Sequence, residues 1–316
     1  MRISNELFAG NFLAQTSQLQ SLQIHLQNEV TTGLKVNLPE DDPATMNQVL
    51  NLQTQAGANA QYQSNITQLQ GTAATAASAM TSLQTLTEQA GAIATQANGI
   101  TSSSQLATYA TQVGHLLQEA LQAANTQDAQ GHYIFGGTIN NQPPFAATTD
   151  ASGNVIAVTY QGNAAQSQSQ IGPGQTVSAQ VPGTNTTGAG PAGLLADSRS
   201  GADLFRDLIS LQQNLTSGNT AAIASTDSPN LTKDEDNIIS GIAGNGVMQS
   251  TLETAGAAAT QLGTNITTQT SNLTSADLAT TLTKLDQTQT AYQAALQSSL
   301  MIMNLSILNY INITPP

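Results

Sequence analysis

The sequence predicts a mainly α protein, with long antiparallel coiled-coil helices from both termini and a small β-rich inserted domain. Three observations support this prediction. Apolar residues recur at steps of three and four over long stretches at both ends of the 316-residue chain. The segment 138–200 holds five of the ten prolines, which disfavour long helices. Only 3% of the residues are aromatic and 8% are charged, with no Trp, which favours thin cores between long helices.

The N-terminal segment, residues 8–34, predicts an amphipathic helix. Its apolar residues largely follow a helical spacing: Phe8, Phe12, Leu19, Leu22, Leu26 and Val30. We expect this helix to end at Thr32 and Gly33, because glycine readily adopts the left-handed conformation that follows a helix. The Asp-Asp-Pro sequence at 41–43 then predicts the start of a second helix, where aspartate caps the first turn and proline needs no backbone partner.

The second predicted helix is long. Its apolar spacing runs over residues 44–98, a length of about 80 Å at 1.5 Å per residue. Helices of globular proteins typically have 8–20 residues, so this length is typical of a coiled coil. Asn98 and Gly99 predict its end, and a third helix with one apolar face follows up to Ala124.

The centre of the chain changes pattern. Residues 132–137 are aromatic and β-branched and predict a strand, and the best further strands are 155–160 and 176–181. Glycine and proline pairs between them predict turns. We expect helix to resume at Ala202 and a loop to cover residues 217–230.

From Leu231 the helical pattern returns and runs nearly to the end of the chain. Its last part carries the clearest heptad, with steps of four and three: Leu278, Leu282, Leu285, Gln289, Tyr292, Leu296, Ser299, Met303, Ser306 and Tyr310. Each terminal helix needs a partner, because helices gain most of their stability from packing. The two can cover each other only in part, so we expect the chain ends to lie together and to become ordered on assembly with other copies.

These patterns predict three domains. Residues 1–43 and 274–316 form a terminal coiled-coil domain. Residues 44–137 and 201–273 form a bundle of long helices. Residues 138–200 form a β-rich insertion, and the resemblance described below implies that it faces outward.

The sequence offers little for catalysis. It contains no cysteine, which excludes disulfides, cysteine-based zinc sites and thiol catalysis. The histidines, His25, His115 and His132, lack metal-ligand spacing and are predicted to be ordinary surface or interface residues. No Gly-x-Ser-x-Gly nucleophile motif occurs. We therefore predict no enzyme, no cofactor and no metal.

Two acidic clusters allow alternatives. Asp41 and Asp42 could form a carboxylate pair for acid–base chemistry, but a cap beside Pro43 is the favoured interpretation. The Asp-Glu-Asp sequence at 234–236 is similar to the start of a calcium loop, but the glycine and the closing glutamate of that loop are missing. We interpret it as a solvated helix start, where acidic side chains complement the helix dipole.

Charge and hydropathy exclude two classes of partner. The formal net charge is −13, with six scattered Lys and Arg residues, so no basic stripe exists for nucleic acid. No run approaches 18 apolar residues, so we expect no membrane insertion. Residues 1–6 lack the apolar region of a cleavable secretory signal peptide, so a cytoplasmic protein and export by another route both fit.

Several blocks of sequence resemble the bacterial flagellins and their hook-associated relatives. The blocks are MRIS at 1–4, EVTTGLKVN at 29–37, PEDDPA at 39–44 and LDQTQTAYQAALQSSLMIMNLSILNY at 285–310. Residues 131–138 (GHYIFGGT) and 142–145 (QPPF) point towards the hook-associated branch of the family rather than to flagellin proper. The resemblance covers both ends and the middle of the chain.

The resemblance implies a structural adapter of the extracellular bacterial flagellum at the hook–filament junction. The protein would form a homo-oligomer in a tubular assembly, between hook-associated protein 1 and the flagellin filament. It would leave the cell through the flagellar type III system, without a cleavable signal peptide. A type III export chaperone would hold its C-terminal region beforehand.

We predict an assembly interface on the two terminal helices. Its residues are Leu19, Leu22, Leu26, Leu285, Tyr292, Leu296 and Met303. A purely intramolecular core also fits these apolar residues, since a heptad pattern does not show which helix packs against it. Other functions that fit are flagellin, the filament subunit itself, an adhesin-like coiled coil that binds ligands through residues 138–200, and a cytoplasmic enzyme.

Overall fold

Helices make up most of the chain. The computed structural model describes residues 2–100 and 102–311, with side chains described within 10–100 and 102–301. The helices are α1 (Arg2–Thr32), α2 (Pro43–Ala97), α3 (Ser103–Ala124), α4 (Leu204–Ser217), α5 (Thr220–Ala222), α6 (Ser228–Thr274) and α7 (Leu278–Ile311). A π-helical turn, Ile223–Asp227, joins α5 to α6. The predicted fold class is confirmed.

The β-containing region lies between α3 and α4. Its strands are β1 (Phe145–Thr149), β2 (Val155–Tyr160), β3 (Ser169–Gly172), β4 (Gln175–Val177), β5 (Thr184–Asn185), β6 (Ala196–Asp197) and β7 (Ala202–Asp203). β1 with β2 and β3 with β4 form antiparallel pairs. β6 lies between β5, to which it is parallel, and β7, to which it is antiparallel.

The described chain divides into two compact units. One comprises the residues up to Gly57 together with those from Gly263 onward, and the other is Ala58–Leu262. The second unit contains both the β-containing region and the helices around it. The three-domain division made from the sequence stays a prediction.

The core of the second unit is centred on α3 and α4. The α4 residues Leu204, Leu208, Leu211 and Leu215 are at most 1% exposed, which matches a helical spacing. Asp203 caps α4, since its side chain accepts the Arg206 N–H at 3.4 Å. Gly218 ends the helix in the left-handed conformation, with φ of 72°.

An aromatic group joins β1 and β2 to α4. The ring centroid of Phe145 lies 5.1 Å from the rings of both Tyr160 and Phe205. The Tyr160 hydroxyl donates to the carbonyl of Phe135 at 2.9 Å, and burial raises the pKa of this hydroxyl to about 12. These contacts hold the β1–β2 hairpin against α4. The strand predicted at 155–160 is confirmed as β2.

Three predicted segments have a different secondary structure. Residues 132–137 form no strand, because the chain folds back locally and the Tyr133 N–H donates to Asn140 at 2.9 Å. The strand predicted at 176–181 ends at Val177, since the Ser178 hydroxyl accepts the Gln180 N–H in a turn. The loop predicted at 217–230 is largely helical.

The helical path of that segment has a local cause. The Asn219 side chain caps α5 by accepting the Ala222 N–H at 3.2 Å. Asp227 is only 1% exposed and accepts hydrogen bonds from Ser210 and Asn214, both at 2.7 Å. These polar contacts hold the π-helical turn against α4.

The prediction of a solvated helix start at 234–236 is wrong for Asp234. Helix α6 begins earlier, at Ser228, and Asp234 is only 1% exposed. One of its oxygens accepts the Asp203 N–H at 2.7 Å. Burial, and next the charge of Asp207, raise the pKa of Asp234 to about 8. Packing against α4 therefore overrides the local helix-start pattern.

Candidate assembly surface on the terminal helices

Backbone hydrogen bonds join the end of α1 to the start of α7. Gly33 ends α1 with φ of 71°, and its N–H donates to Glu29 at 2.8 Å. The Lys35 N–H donates to the carbonyl of Thr274 at 2.7 Å, and the Ala276 N–H donates to Gly33 at 2.9 Å. The segment after α1 and the segment before α7 therefore meet at a defined point, and α1 ends at Gly33 as the glycine stop signal predicted.

From that point α1 and α7 run antiparallel within the first unit. The Thr281 hydroxyl, at the start of α7, donates to Glu29 near the end of α1 at 3.2 Å. Glu29 also lies 3.0 Å from the His25 Nε2. The pairing gives this carboxylate partners on both helices.

Asp42 caps α2, and Asp41 stabilises the turn that precedes it. Asp42 accepts the N–H groups of Ala44 and Thr45 at 3.0 and 3.1 Å, and its hydrogen bond with the Thr45 hydroxyl lowers its pKa most. Asp41 accepts the N–H groups of Leu38 and Asn37, and these bonds lower its pKa. The capping interpretation is confirmed, with Pro43 as the first helical residue.

The α1–α7 seam is rich in threonine. Thr16 and Leu26 on α1, and Thr281 and Thr288 on α7, are 4–8% exposed. The hydroxyls of Thr16 and Thr288 donate to carbonyls of their own helices at 2.9 and 2.7 Å, which satisfies them inside the seam. The seam is therefore narrow, and little of the leucine surface fits into it.

The inward face of α7 differs from the heptad expected from leucine spacing. Leu285, Tyr292 and Ser299 are half-buried, as the heptad predicted. Gln289 is also half-buried, but Leu282 and Leu296 are exposed, and Thr281, Thr288 and the half-buried Ala295 lie inward instead. Sequence reasoning missed the threonines, although Thr274, Thr281 and Thr288 recur every seven residues.

Exposed apolar side chains concentrate in the first unit. Of the fourteen large exposed apolar residues among the described side chains, ten belong to this smaller unit. They are Leu13, Leu22, Ile24, Leu38, Leu50, Leu278, Leu282, Leu296, Leu300 and Met301. We call these ten residues the exposed apolar set.

The seven predicted interface residues fall into two groups. Leu26 is buried, and Leu19, Leu285 and Tyr292 are half-buried within the unit. Leu22 and Leu296 belong to the exposed apolar set, 46% and 42% exposed. The side chain of Met303 lies outside the described residues.

Two other features are absent from the part of the chain that the structure describes. Among the described residues, no three His, Cys, Asp or Glu side chains group to hold a metal ion. None of the described helices combines the length and the apolar character needed to cross a membrane.

Part of the chain is similar to a known protein family. Residues 3–140 match the family model of the bacterial flagellin N-terminal helical region. The chain is therefore similar to the bacterial flagellins over its N-terminal 3–140 segment. The resemblance inferred from the sequence is confirmed. Two curated relatives show which branch of the family the chain is similar to.

Both curated relatives are named flagellar hook-associated protein 3. The protein of Salmonella typhimurium is 29% identical over 171 residues, 52% of this chain and 53% of that protein. The protein of Escherichia coli is 27% identical over 147 residues, 46% of each. The chain spans about half the length of the curated relatives that it matches.

Solved structures share the fold. A putative flagellar hook-associated protein from Vibrio parahaemolyticus superposes with a TM-score of 0.63 at 20% identity, covering 74% of this chain and 100% of that one. FlgL of Bacillus cereus gives a TM-score of 0.55 at 18% identity, covering 70% and 99%. The chain therefore shares a fold with these two proteins.

Proposed function

We propose that the chain is a structural adapter of the bacterial flagellum at the hook–filament junction. It assembles with copies of itself into a tube through its terminal helices, and it joins hook-associated protein 1 to the flagellin filament. The observation that supports this proposal most is the exposed apolar set, concentrated on the unit that both chain ends build.

Burial of the exposed apolar set against another molecule would be favourable. Full burial of one leucine side chain contributes roughly 1.5–3 kcal/mol. Leu278, Leu282, Leu296 and Leu300 lie on α7 outside the threonine-rich seam, where neither their own helix nor α1 buries them. Neighbouring copies packed side by side in a tube wall supply that burial, and an isolated copy forgoes it.

The location and the export route are part of the same proposal. The protein acts outside the cell, and it reaches the flagellum through the flagellar type III system. A chaperone covers residues 285–310 until export, because that segment carries Leu296, Leu300 and Met301 of the exposed apolar set. The absence of cysteine agrees with passage in an unfolded state, since no oxidation step is needed.

The names of the curated relatives favour the junction over the filament. Both are hook-associated protein 3, and neither is flagellin. A junction protein is scarce in sheared flagella, whereas a filament subunit dominates them. Quantifying this chain in sheared flagella therefore separates the two roles.

Deletion of the gene tests the proposal directly. We expect hooks without filaments by electron microscopy, with flagellin secreted into the medium. Re-expression of the wild-type chain should restore filaments. Normal filaments in the deletion strain would contradict the junction role, and a lack of hooks would place the protein earlier in assembly.

A further inference from the structure

Helices α2 and α6 of the second unit pack antiparallel with a seven-residue repeat. Along this seam Asn59 faces Ala259, and Ala73 faces Asn245. Halfway between these layers Ile66 lies in one buried cluster with Leu252. Seven residues forward on α2 thus correspond to seven residues back on α6, as in a coiled coil.

The two asparagines make reciprocal contacts. The Asn59 side-chain amide donates to the backbone carbonyl of Ala259 at 2.9 Å, from α2 to α6. The Asn245 amide donates to the carbonyl of Ala73 at 2.9 Å, from α6 to α2. Both asparagines are only 4% exposed. Each faces an alanine, whose small side chain leaves the carbonyl within reach.

The arrangement is not the most stable one for this seam. The Oδ1 atoms of Asn59 and Asn245 are buried and have no hydrogen-bond partner among the described residues. A buried acceptor without a partner lowers stability, whereas apolar side chains of similar size would fill the same layers without that penalty. The benefit of the asparagines must therefore lie elsewhere than in stability.

Moving α2 by one heptad along α6, a register slip, shows what the asparagines contribute. If each α2 residue moves to the α6 residue seven positions earlier, Asn59 would face Leu252, and Ile66 would face Asn245. If it moves to the α6 residue seven positions later, Asn245 would face Met80, and the carbonyl of Ala73 would lie opposite Leu252. Either slip removes both amide–carbonyl bonds and places buried amides against large apolar side chains.

We propose that Asn59 and Asn245 are register-setting residues, which select a single alignment of α2 with α6 at a cost in stability. A single buried asparagine can fix register in coiled coils, and here two act reciprocally across one apolar layer. The inference concerns folding of the second unit. It holds independently of the junction role.

Thr87, on the same face of α2, provides a control for the loss of a buried polar group. Thr87 lies four heptads along α2 from Asn59 and is only 1% exposed. Its hydroxyl donates to Leu83 of the same helix at 2.8 Å, so it makes no hydrogen bond to α6. Thr87→Val therefore removes a buried polar group without touching the proposed register contacts.

Disulfide trapping in the full-length chain measures the register, because the natural sequence contains no cysteine. Ile66→Cys with Leu252→Cys reports the native alignment. Ala73→Cys with Leu252→Cys and Met80→Cys with Leu231→Cys report slips of one heptad in the two directions. Each pair is introduced into four backgrounds: wild type, Thr87→Val, Asn59→Leu with Asn245→Leu, and Asn59→Ala with Ala259→Asn.

We expect wild type and Thr87→Val to cross-link only through the native pair. The double leucine variant should cross-link through at least one slipped pair, several-fold above wild type, with a thermal midpoint at or above that of wild type. The Asn59→Ala with Ala259→Asn variant moves one amide to the opposite helix in the same layer, and it should keep the native register.

Three results would overturn the proposal. The first is a double leucine variant that cross-links only through the native pair. The second is a double leucine variant that fails to fold or has a lower thermal midpoint, since the asparagines would then act as ordinary stabilising contacts. The third is a slipped cross-link in the variant with the moved amide.

Discussion

Asp234 on α6 accepts the backbone N–H of Asp203, at the start of α4, at 2.7 Å. Its second oxygen is buried and has no partner among the described residues. The charged groups around it are Asp207, Asp203 and Arg206. The hydrogen bond thus joins two helices through a carboxyl group that burial keeps protonated at neutral pH.

Asp234 should make stability fall as pH rises. Its folded pKa of about 8 lies above the ordinary value of 3.8. The stabilisation is thus fully present below about pH 4 and is lost as pH rises through about 8. Asp234→Asn keeps the acceptor for Asp203 and removes the charge, so we expect higher stability at pH 8.5, by a few kcal/mol as an order of magnitude.

Thermal unfolding followed by circular dichroism at pH 5, 7 and 8.5 measures this effect. Asp236→Asn, which changes an exposed carboxylate on the same helix, is the control and should leave the profile unchanged. Equal pH profiles for wild type and Asp234→Asn would refute the prediction.

Asp197 should have the opposite pH dependence. This carboxylate is 3% exposed and accepts hydrogen bonds from the N–H of Gly193 at 2.8 Å and from the Arg199 guanidinium at 2.6 Å. The bond from Arg199 lowers the pKa of Asp197 to about 2. Its stabilisation is present above pH 3.8 and is lost as pH falls through about 2.

Asp197→Asn should therefore destabilise the chain at pH 7 by about 1–3 kcal/mol, because charge-assisted bonds are lost. Urea unfolding at pH 7 and at pH 2.5 tests this expectation, and the difference between variant and wild type should shrink at the lower pH. Asp286→Asn serves as an exposed control. A constant difference at both pH values would argue against the assignment.

Leu296→Asp should block assembly and leave the isolated chain folded. Leu296 is 42% exposed, so the substitution disturbs little within the unit. In a tube wall it buries an unpaired carboxylate, and we expect at least roughly a 100-fold loss of self-association. Analytical ultracentrifugation of the purified chain and motility of the complemented strain measure the two effects.

The neighbouring substitution Gln297→Asp provides the matched control for Leu296→Asp. It adds the same charge at an exposed polar position of α7. Motility equal to wild type in the Leu296→Asp strain would remove this residue from the interface.

Tyr292→Leu should be tolerated. Tyr292 is half-buried on the seam face of α7, and leucine keeps a large apolar group there. We expect a change in unfolding free energy below about 1.5 kcal/mol, with assembly retained. Tyr292→Asp is the contrasting variant, and similar behaviour of the two would exclude packing at this position.

Local chemistry made the helix boundaries predictable. Asp42 and Pro43 specify the start of α2 through a cap and a fixed backbone angle, and Gly33 specifies the end of α1. These signals act within a few residues, so a single sequence contains them. The long apolar periods likewise predict helices, independently of what the helices face.

Burial that depends on distant residues was not predictable in the same way. Asp234 is enclosed by α4, whose capping residue Asp203 lies 31 positions earlier. Thr281 and Thr288 occupy the seam because their hydroxyls bind Glu29 or their own helix, which apolar spacing does not reveal. The heptad on α7 therefore indicated the correct helix but only part of its inward face, because it omitted Thr281 and Thr288.

The link between the segment after α1 and the segment before α7 is made by main-chain atoms, from Lys35 to Thr274 and from Ala276 to Gly33. Any residue except proline supplies an amide N–H, so substitution of Lys35 or Ala276 can alter the side chain without breaking these links. Gly33 is the exception, because its φ of 71° disfavours residues with a side chain. The course of the backbone at residues 33–35 and 274–276 therefore matters more for this link than the side chains of Lys35, Thr274 and Ala276, which contribute nothing to the two hydrogen bonds.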